Sequence, residues 1–168
     1  MRTLIVIDMQ NDFVGGVLGT PEARAIVPNV KKKIQEYYKR GDNIIFTKDT
    51  HLDDYLNTSE GQKLPIVHCI EDSYGWQIVS GLEVPNCSYV IKPTFGWKRW
   101  KDASLCGDVE LIGVCSDICV ISNAILIKTV YPNVNVVVDA SCCAGSTPEK
   151  HKAALEVMKS CQIDVVGE

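Results

Sequence analysis

Residues Val109–Val120 read VELIGVCSDICV, and this stretch decides the fold. VELIGV is a compact apolar run of the kind that forms a strand buried on both faces, as in a parallel sheet. It breaks at a polar turn, Ser116–Asp117, and Ile118–Lys128 follows as a helical stretch that is apolar almost all round, as befits a helix packed on a sheet and partly covered. Strand, turn and helix in that order form half of a βαβ unit. The same alternation recurs outward in both directions. Upstream, TLIVI (Thr3–Ile7) ends at Asp8. Pro28–Lys39 then puts Val30, Ile34, Tyr37 and Tyr38 on one helical face, with Gly41 as its stop. NIIFT (Asn43–Thr47) and Tyr89–Ile91 read as further strands. Downstream, Val134–Val138 is a strand, Thr147–Pro148 opens a helix, and Ile163–Val166 is a last short strand. The pattern predicts an α/β fold with a parallel sheet and helices on both faces, with residues 1–168 forming one domain.

Composition agrees with that reading. The chain has 168 residues, 46% hydrophobic and 23% charged, which excludes a disordered or fibrous chain. Net charge is −4, from 17 Lys+Arg against 21 Asp+Glu, so there is no electrostatic footprint for nucleic acid or an anionic membrane. No apolar run approaches the ~20 residues of a membrane span. The first residues lack a signal-peptide core, so the chain reads as cytoplasmic. The eight cysteines (Cys69, Cys87, Cys106, Cys115, Cys119, Cys142, Cys143 and Cys161) contain no CxxC pair. Most of them read as small buried hydrophobes in a reducing compartment.

In open parallel sheets, sites form at the carboxyl ends of the strands. Those ends carry Asp8, then Asp49 and His51, then Lys92, then the turn leading to Cys119. Singly, each has an ordinary explanation: a turn aspartate, a solvated lysine, a structural cysteine. Jointly they supply a thiol, a base to take its proton and a cation to keep the thiolate stable. Cys119 also falls in the first helical turn, after Ser116 or Asp117 as cap, where the helix dipole favours negative charge. The segment from Asp49 to Ser88 is long, polar and poor in periodicity, and such loops are often functional. Within it, Asp49-x-His51 and His68 offer one carboxylate and two imidazoles, a set suited to a catalytic zinc, iron or manganese. The competing reading makes Asp49 a turn residue and His68 a core histidine satisfied by backbone. His151, inside the last helix, reads as structural or solvent-exposed.

VIDMQNDF (Val6–Phe13), TKDTH (Thr47–His51), LPIVHC (Leu64–Cys69), VIKPTF (Val90–Phe95) and GVCSDICV (Gly113–Val120) resemble, in order, the motifs of the isochorismatase-like cysteine hydrolases, nearest the nicotinamidase/pyrazinamidase branch. The resemblance implies a three-layer α/β/α fold with a six-stranded parallel sheet. It implies a catalytic trio of Asp8, Lys92 and Cys119, and a non-proline cis peptide at Val114–Cys115 that aims the N–H groups of Cys115 and Cys119 at one point as an oxyanion hole. A divalent metal, zinc foremost with iron or manganese as alternatives, is implied on Asp49, His51 and His68. The implied reaction takes a small-molecule amide, nicotinamide or pyrazinamide, to the acid and ammonia through a cysteine thioester, in a homo-oligomer.

The chain departs from that branch in places. Leu64 stands where a ring-sandwiching tryptophan is usual, the spacing from Pro65 to His68 is one residue longer, and the stretch after Lys92 is short. Phe13 is retained as one stacking partner, with Trp76 or Trp97 as candidates for the other face. Two rival readings follow. One is a metal-independent relative acting on a carbamoyl or ureido compound. The other is a non-catalytic binding or redox protein, motivated by the adjacent Cys142 and Cys143.

Overall fold

The computed structural model describes residues 1–168. Six strands form one sheet: β1 (Thr3–Ile7), β2 (Asn43–Asp49), β3 (Ser88–Lys92), β4 (Val109–Val114), β5 (Val136–Ala144) and β6 (Asp164–Val166). Their order is β3-β2-β1-β4-β5-β6, and every neighbouring pair is parallel. The chain builds outward from β1 to β3, then returns across the sheet to lay β4 against the other side of β1. The connections beyond β1 and β4 therefore leave in opposite directions. A crevice opens at the carboxyl ends of these two central strands.

The apolar runs are continuous because each strand is covered twice. Leu4 and Val6 of β1 face a layer that includes Val30, Ile34 and Tyr37 of α3 (Val27–Arg40). Ile5 and Ile7 point the other way, into a core shared with Ile127 of α5 (Ile121–Val130) and Met158 of α6 (Pro148–Ser160). The expected stop of α3 is present, Gly41 taking a left-handed φ of 70°. Thr147 caps α6, its side chain accepting from the Lys150 N–H. Lys33 of α3 joins the helix to two strands, its Nζ lying 2.7 Å from Glu110 Oε1 and 2.8 Å from Asp139 Oδ2.

Some boundaries differ from the sequence reading. β2 runs on to Asp49, and β5 runs to Ala144 through a register shift against β4 between Leu111 and Gly113. Cys142 and Cys143 are thus successive strand residues that point into opposite cores, and all eight thiols are unpaired. Three short helices, α1 (Asn11–Val14), α2 (Pro21–Ala25) and α4 (Ser59–Lys63), carry too few residues to show periodicity and were not foreseen. No helix is long and apolar enough to cross a membrane.

Candidate active site

Asp8 follows β1 directly, with a φ of 47°. Aspartate visits this left-handed region more readily than most residues, because its short polar side chain can bond locally. The Thr47 hydroxyl donates to Asp8 Oδ1 at 2.6 Å and accepts from the Asp8 N–H at 3.1 Å. Lys92, the last residue of β3, reaches across to place its Nζ 2.6 Å from Asp8 Oδ2, 3.4 Å from Asp49 Oδ1 and 3.7 Å from Cys119 Sγ. It also donates to the Thr94 carbonyl at 3.2 Å. Asp8 and Lys92 are wholly buried and Cys119 nearly so. The Lys92 ammonium is the partner of Asp8 Oδ2, while Thr47 occupies Oδ1.

Burial controls the electrostatics. It raises the Asp8 carboxyl above its usual value, against the lowering pull of Lys92. It pushes the Cys119 thiol well above its ordinary value, and again Lys92 opposes this without overcoming it. Burial alone would neutralise Lys92, but the Asp8 and Asp49 carboxylates beside it push the other way and raise it above its ordinary value. Desolvation thus works against the thiolate that a place at a helix start favours, and the Lys92 ammonium works for it.

The cis peptide expected at Val114–Cys115 is present. Just before it, Gly113 has a φ of 118° and passes so close to β1 that a Cβ would fall on the Ile7 carbonyl. The helix then starts with a π-turn over Ser116–Val120. The Cys115 carbonyl accepts from the N–H groups of Ile118 at 3.1 Å and Val120 at 3.0 Å, passing over the Cys119 N–H that an α-helix would bond there. The turn is tied down from both sides. Asp117 accepts from the Ser146 N–H and hydroxyl at 2.7 and 2.6 Å, and Ser116 Oγ lies 2.7 Å from His151 Nδ1. His151 is thus half-buried and tied into the fold.

Asp49, His51 and His68 meet beside this trio, and Glu60 joins them: one ligand atom from each of the four lies within 4.8 Å of all the others. His51 Nε2 is 3.0 Å and His68 Nε2 3.6 Å from Asp49 Oδ2, and Glu60 Oε1 is 3.8 Å from His51 Nε2. His68 Nδ1 lies 2.7 Å from the Ile66 carbonyl, so that nitrogen carries a proton and Nε2 is the ring atom turned toward Asp49. Burial works to raise the Asp49 carboxyl, but hydrogen bonds from His51 and His68 and the Lys92 charge hold it well below the usual range. Two imidazoles and two carboxylates converging in this way fit zinc, iron or manganese. Sequence reasoning missed Glu60; it lies in the short α4, and its only signal was a carboxylate in the same long loop.

A cavity of about 350 Å³ opens onto the group, lined by Cys119 and Cys115, by Asp49, Glu60 and His68, and by the apolar side chains of Phe13, Leu18, Leu64, Phe95 and Ile118. Phe13 and Leu64, read from the sequence as ring contacts, both line it. Trp76 and Trp97 do not line this cavity. The Trp76 ring lies against Lys48, with the ammonium 2.8 Å from its centroid, and its Nε1 donates to Thr50 Oγ1. Trp97 packs edge-on to Trp100 at 5.0 Å, and its backbone N–H donates to Asn123 Oδ1. Phe95, which follows Lys92 by three residues, supplies the second aromatic wall instead.

The model of the Isochorismatase domain family matches residues 2–167. The chain is 27% identical to the nicotinamidase of Schizosaccharomyces pombe over 207 aligned positions, covering 98% of this chain and 92% of that protein. It is 30% identical to an Arabidopsis thaliana protein named "Probable inactive nicotinamidase", covering 94% of this chain and 87% of that one. Among solved structures, the pyrazinamidase of Pyrococcus horikoshii in complex with zinc superposes with a TM-score of 0.85 at 26% identity, covering 99% of each chain.

Proposed function

The chain belongs to the isochorismatase family, and from that premise we propose that it is an amidohydrolase that converts a small heteroaromatic carboxamide, nicotinamide or pyrazinamide, into its acid and ammonia. The observation that carries the reading is the placement of Lys92 Nζ, 2.6 Å from Asp8 and 3.7 Å from the Sγ of Cys119, which lines one cavity with Asp49, Glu60 and His68 of the ligand cluster. A binding protein needs no buried carboxylate, ammonium and thiol in mutual contact. Burying them uncompensated would cost several kcal/mol per charge.

In the proposed chemistry the Cys119 thiol transfers its proton to Asp8 Oδ2 as the sulfur attacks the amide carbon. The raised Asp8 carboxyl suits this exchange, since a base closer in pKa to the working pH both takes and returns a proton readily. The N–H groups of Cys115 and Cys119 would receive the developing oxyanion, each such donor typically being worth ~2.7–4 kcal/mol of barrier. The tetrahedral adduct breaks its C–N bond as Asp8 returns the proton to the departing ammonia. Water, deprotonated by Asp8, then attacks the thioester; the C–S bond breaks, the acid leaves, and the thiol regains its proton. Lys92 stays charged throughout and balances the negative charge as it moves between Asp8 and the sulfur.

Asp49, His51, His68 and Glu60 would hold the divalent ion. When bound, it offers a Lewis-acid anchor for a ring nitrogen. Phe13 and Phe95 supply aromatic surface for the ring, and fixing the ring orients the amide carbon toward Cys119. The test is ammonia release by the purified protein from nicotinamide, pyrazinamide and a set of N-carbamoyl compounds. Turnover of the first two supports the proposal. Turnover of the carbamoyl compounds alone, without added metal, overturns the substrate assignment. No turnover of any amide by a folded protein overturns the activity.

A further inference from the structure

The segment VIDMQNDF contributes Asp8 to the trio, and the proposed chemistry leaves its other polar side chains unused. Two of them reach the segments that carry the cation-binding set. Gln10 is wholly buried, and its Oε1 accepts from the Asp49 N–H at 2.7 Å while its Nε2 donates to the Asp49 carbonyl at 2.8 Å. The second proton on Nε2 goes to the Trp76 carbonyl at 3.0 Å. This reciprocal pair holds Asp49 as a neighbouring strand would. It also fixes the amide, because a flipped side chain would face donor to donor and acceptor to acceptor.

Asp12 does the same for the other segment. Its Oδ2 accepts from the Cys69 N–H at 2.8 Å, next to His68. Cys69 has a φ of 46°, a conformation that a non-glycine residue holds only under external constraint. The Cys69 carbonyl in turn accepts from the His51 N–H at 3.0 Å, so anchoring Cys69 also sets the His51 backbone.

Resting on the reading of Asp49, His51, Glu60 and His68 as a cation site, we propose that Gln10 and Asp12 are positioning residues that hold those ligands in the geometry a divalent ion requires. One stretch of chain thereby sets both the catalytic carboxylate and the ion, so their spacing is determined by consecutive residues rather than by loop packing. Groups that orient metal ligands typically change affinity by ~10–100-fold when removed.

The experiment titrates zinc into metal-free protein by competition with a chromogenic chelator, alongside thermal unfolding of each metal-free form. Wild type is compared with Gln10→Met, Gln10→Asn, Asp12→Ala and Asp12→Asn, and with His68→Ala as the site control. The expected result is a Kd for zinc raised by ~10–100-fold in Gln10→Met and Asp12→Ala, with Asp12→Asn, which keeps an acceptor for Cys69, recovering most of the loss. A purely structural role would lower the unfolding temperature yet leave the Kd of the folded variants within about twofold of wild type, and that result overturns the proposal. If Gln10→Met fails to fold, Gln10→Asn and the Asp12 pair decide by the same criterion. Wild type that takes up no zinc, or His68→Ala that binds as tightly as wild type, would overturn the cation site itself, an outcome distinguishable from failure of the positioning role.

Discussion

Lys92 Nζ lies 2.6 Å from Asp8 Oδ2, with both side chains fully buried, although the two residues come from strands separated by β2. The lysine stem crosses above Asp49, its register partner in β2, so one ammonium serves two carboxylates and a thiol. Much of the behaviour expected of this protein follows from that contact.

Removing the cation leaves buried negative charge with no partner. Lys92→Met should therefore destabilise the fold by ~3–5 kcal/mol and abolish turnover. The double variant Asp8→Asn/Lys92→Met should regain most of the stability and none of the activity. Urea unfolding and ammonia release measured on the same samples check both halves.

Cys119 packs in the core but accepts no backbone bond through its side chain, so trimming it leaves only a small gap. Cys119→Ala should lower kcat for ammonia release by ~10⁴-fold or more, with the circular dichroism spectrum retained. Near-normal turnover by the alanine variant would remove the sulfur from the mechanism.

Leu64 lines the cavity and is 36% exposed, leaving room beside it. Leu64→Trp should add a stacking face worth ~0.5–1.5 kcal/mol, raising kcat/KM for nicotinamide by ~2–10-fold. Aliphatic amides should gain nothing, and the ratio of the two specificity constants is the measurement that decides.

Removal of divalent ions by a strong chelator should suppress hydrolysis of nicotinamide, and zinc, iron or manganese should restore it. His68→Ala should fail to recover on re-addition while keeping its secondary structure. Unaltered activity after exhaustive chelation would mean the ligand cluster is not needed for turnover.

Far from the site, burial works to raise the Asp139 carboxyl, but Lys33 at 2.8 Å and the Ser141 hydroxyl hold it below its ordinary value. A carboxyl depressed in the folded state contributes stability that is present above its unfolded pKa of about 3.9 and lost as pH falls through the folded value. The urea midpoint should accordingly drop on acidification below about pH 4. Asp139→Asn should lower the midpoint at neutral pH and flatten part of that acid limb.

The proposed trio was legible because Asp8 follows β1, Lys92 ends β3 and Cys119 lies in the turn after β4, and parallel strands deliver their carboxyl ends to one edge. Asp49, His51 and His68 were legible by type and spacing. Glu60 was not, since it sits in a five-residue helix with no periodic signal and is brought in by folding of the loop. Trp76 and Trp97 failed as substrate walls for the same reason in reverse. Aromatic character marks a residue as able to stack, yet Lys48 and Trp100 claim those rings first.

Runs of β-branched residues, helix caps and the turn after β4 are local features, so the sequence alone determined the strands, the α/β class and the identity of the groups at the strand ends. The upward push on the Cys119 thiol and the company of Asp49 were decided only by tertiary structure. Desolvation and the distance between charges depend on every segment packed around them, and no neighbouring residue in the chain encodes either quantity.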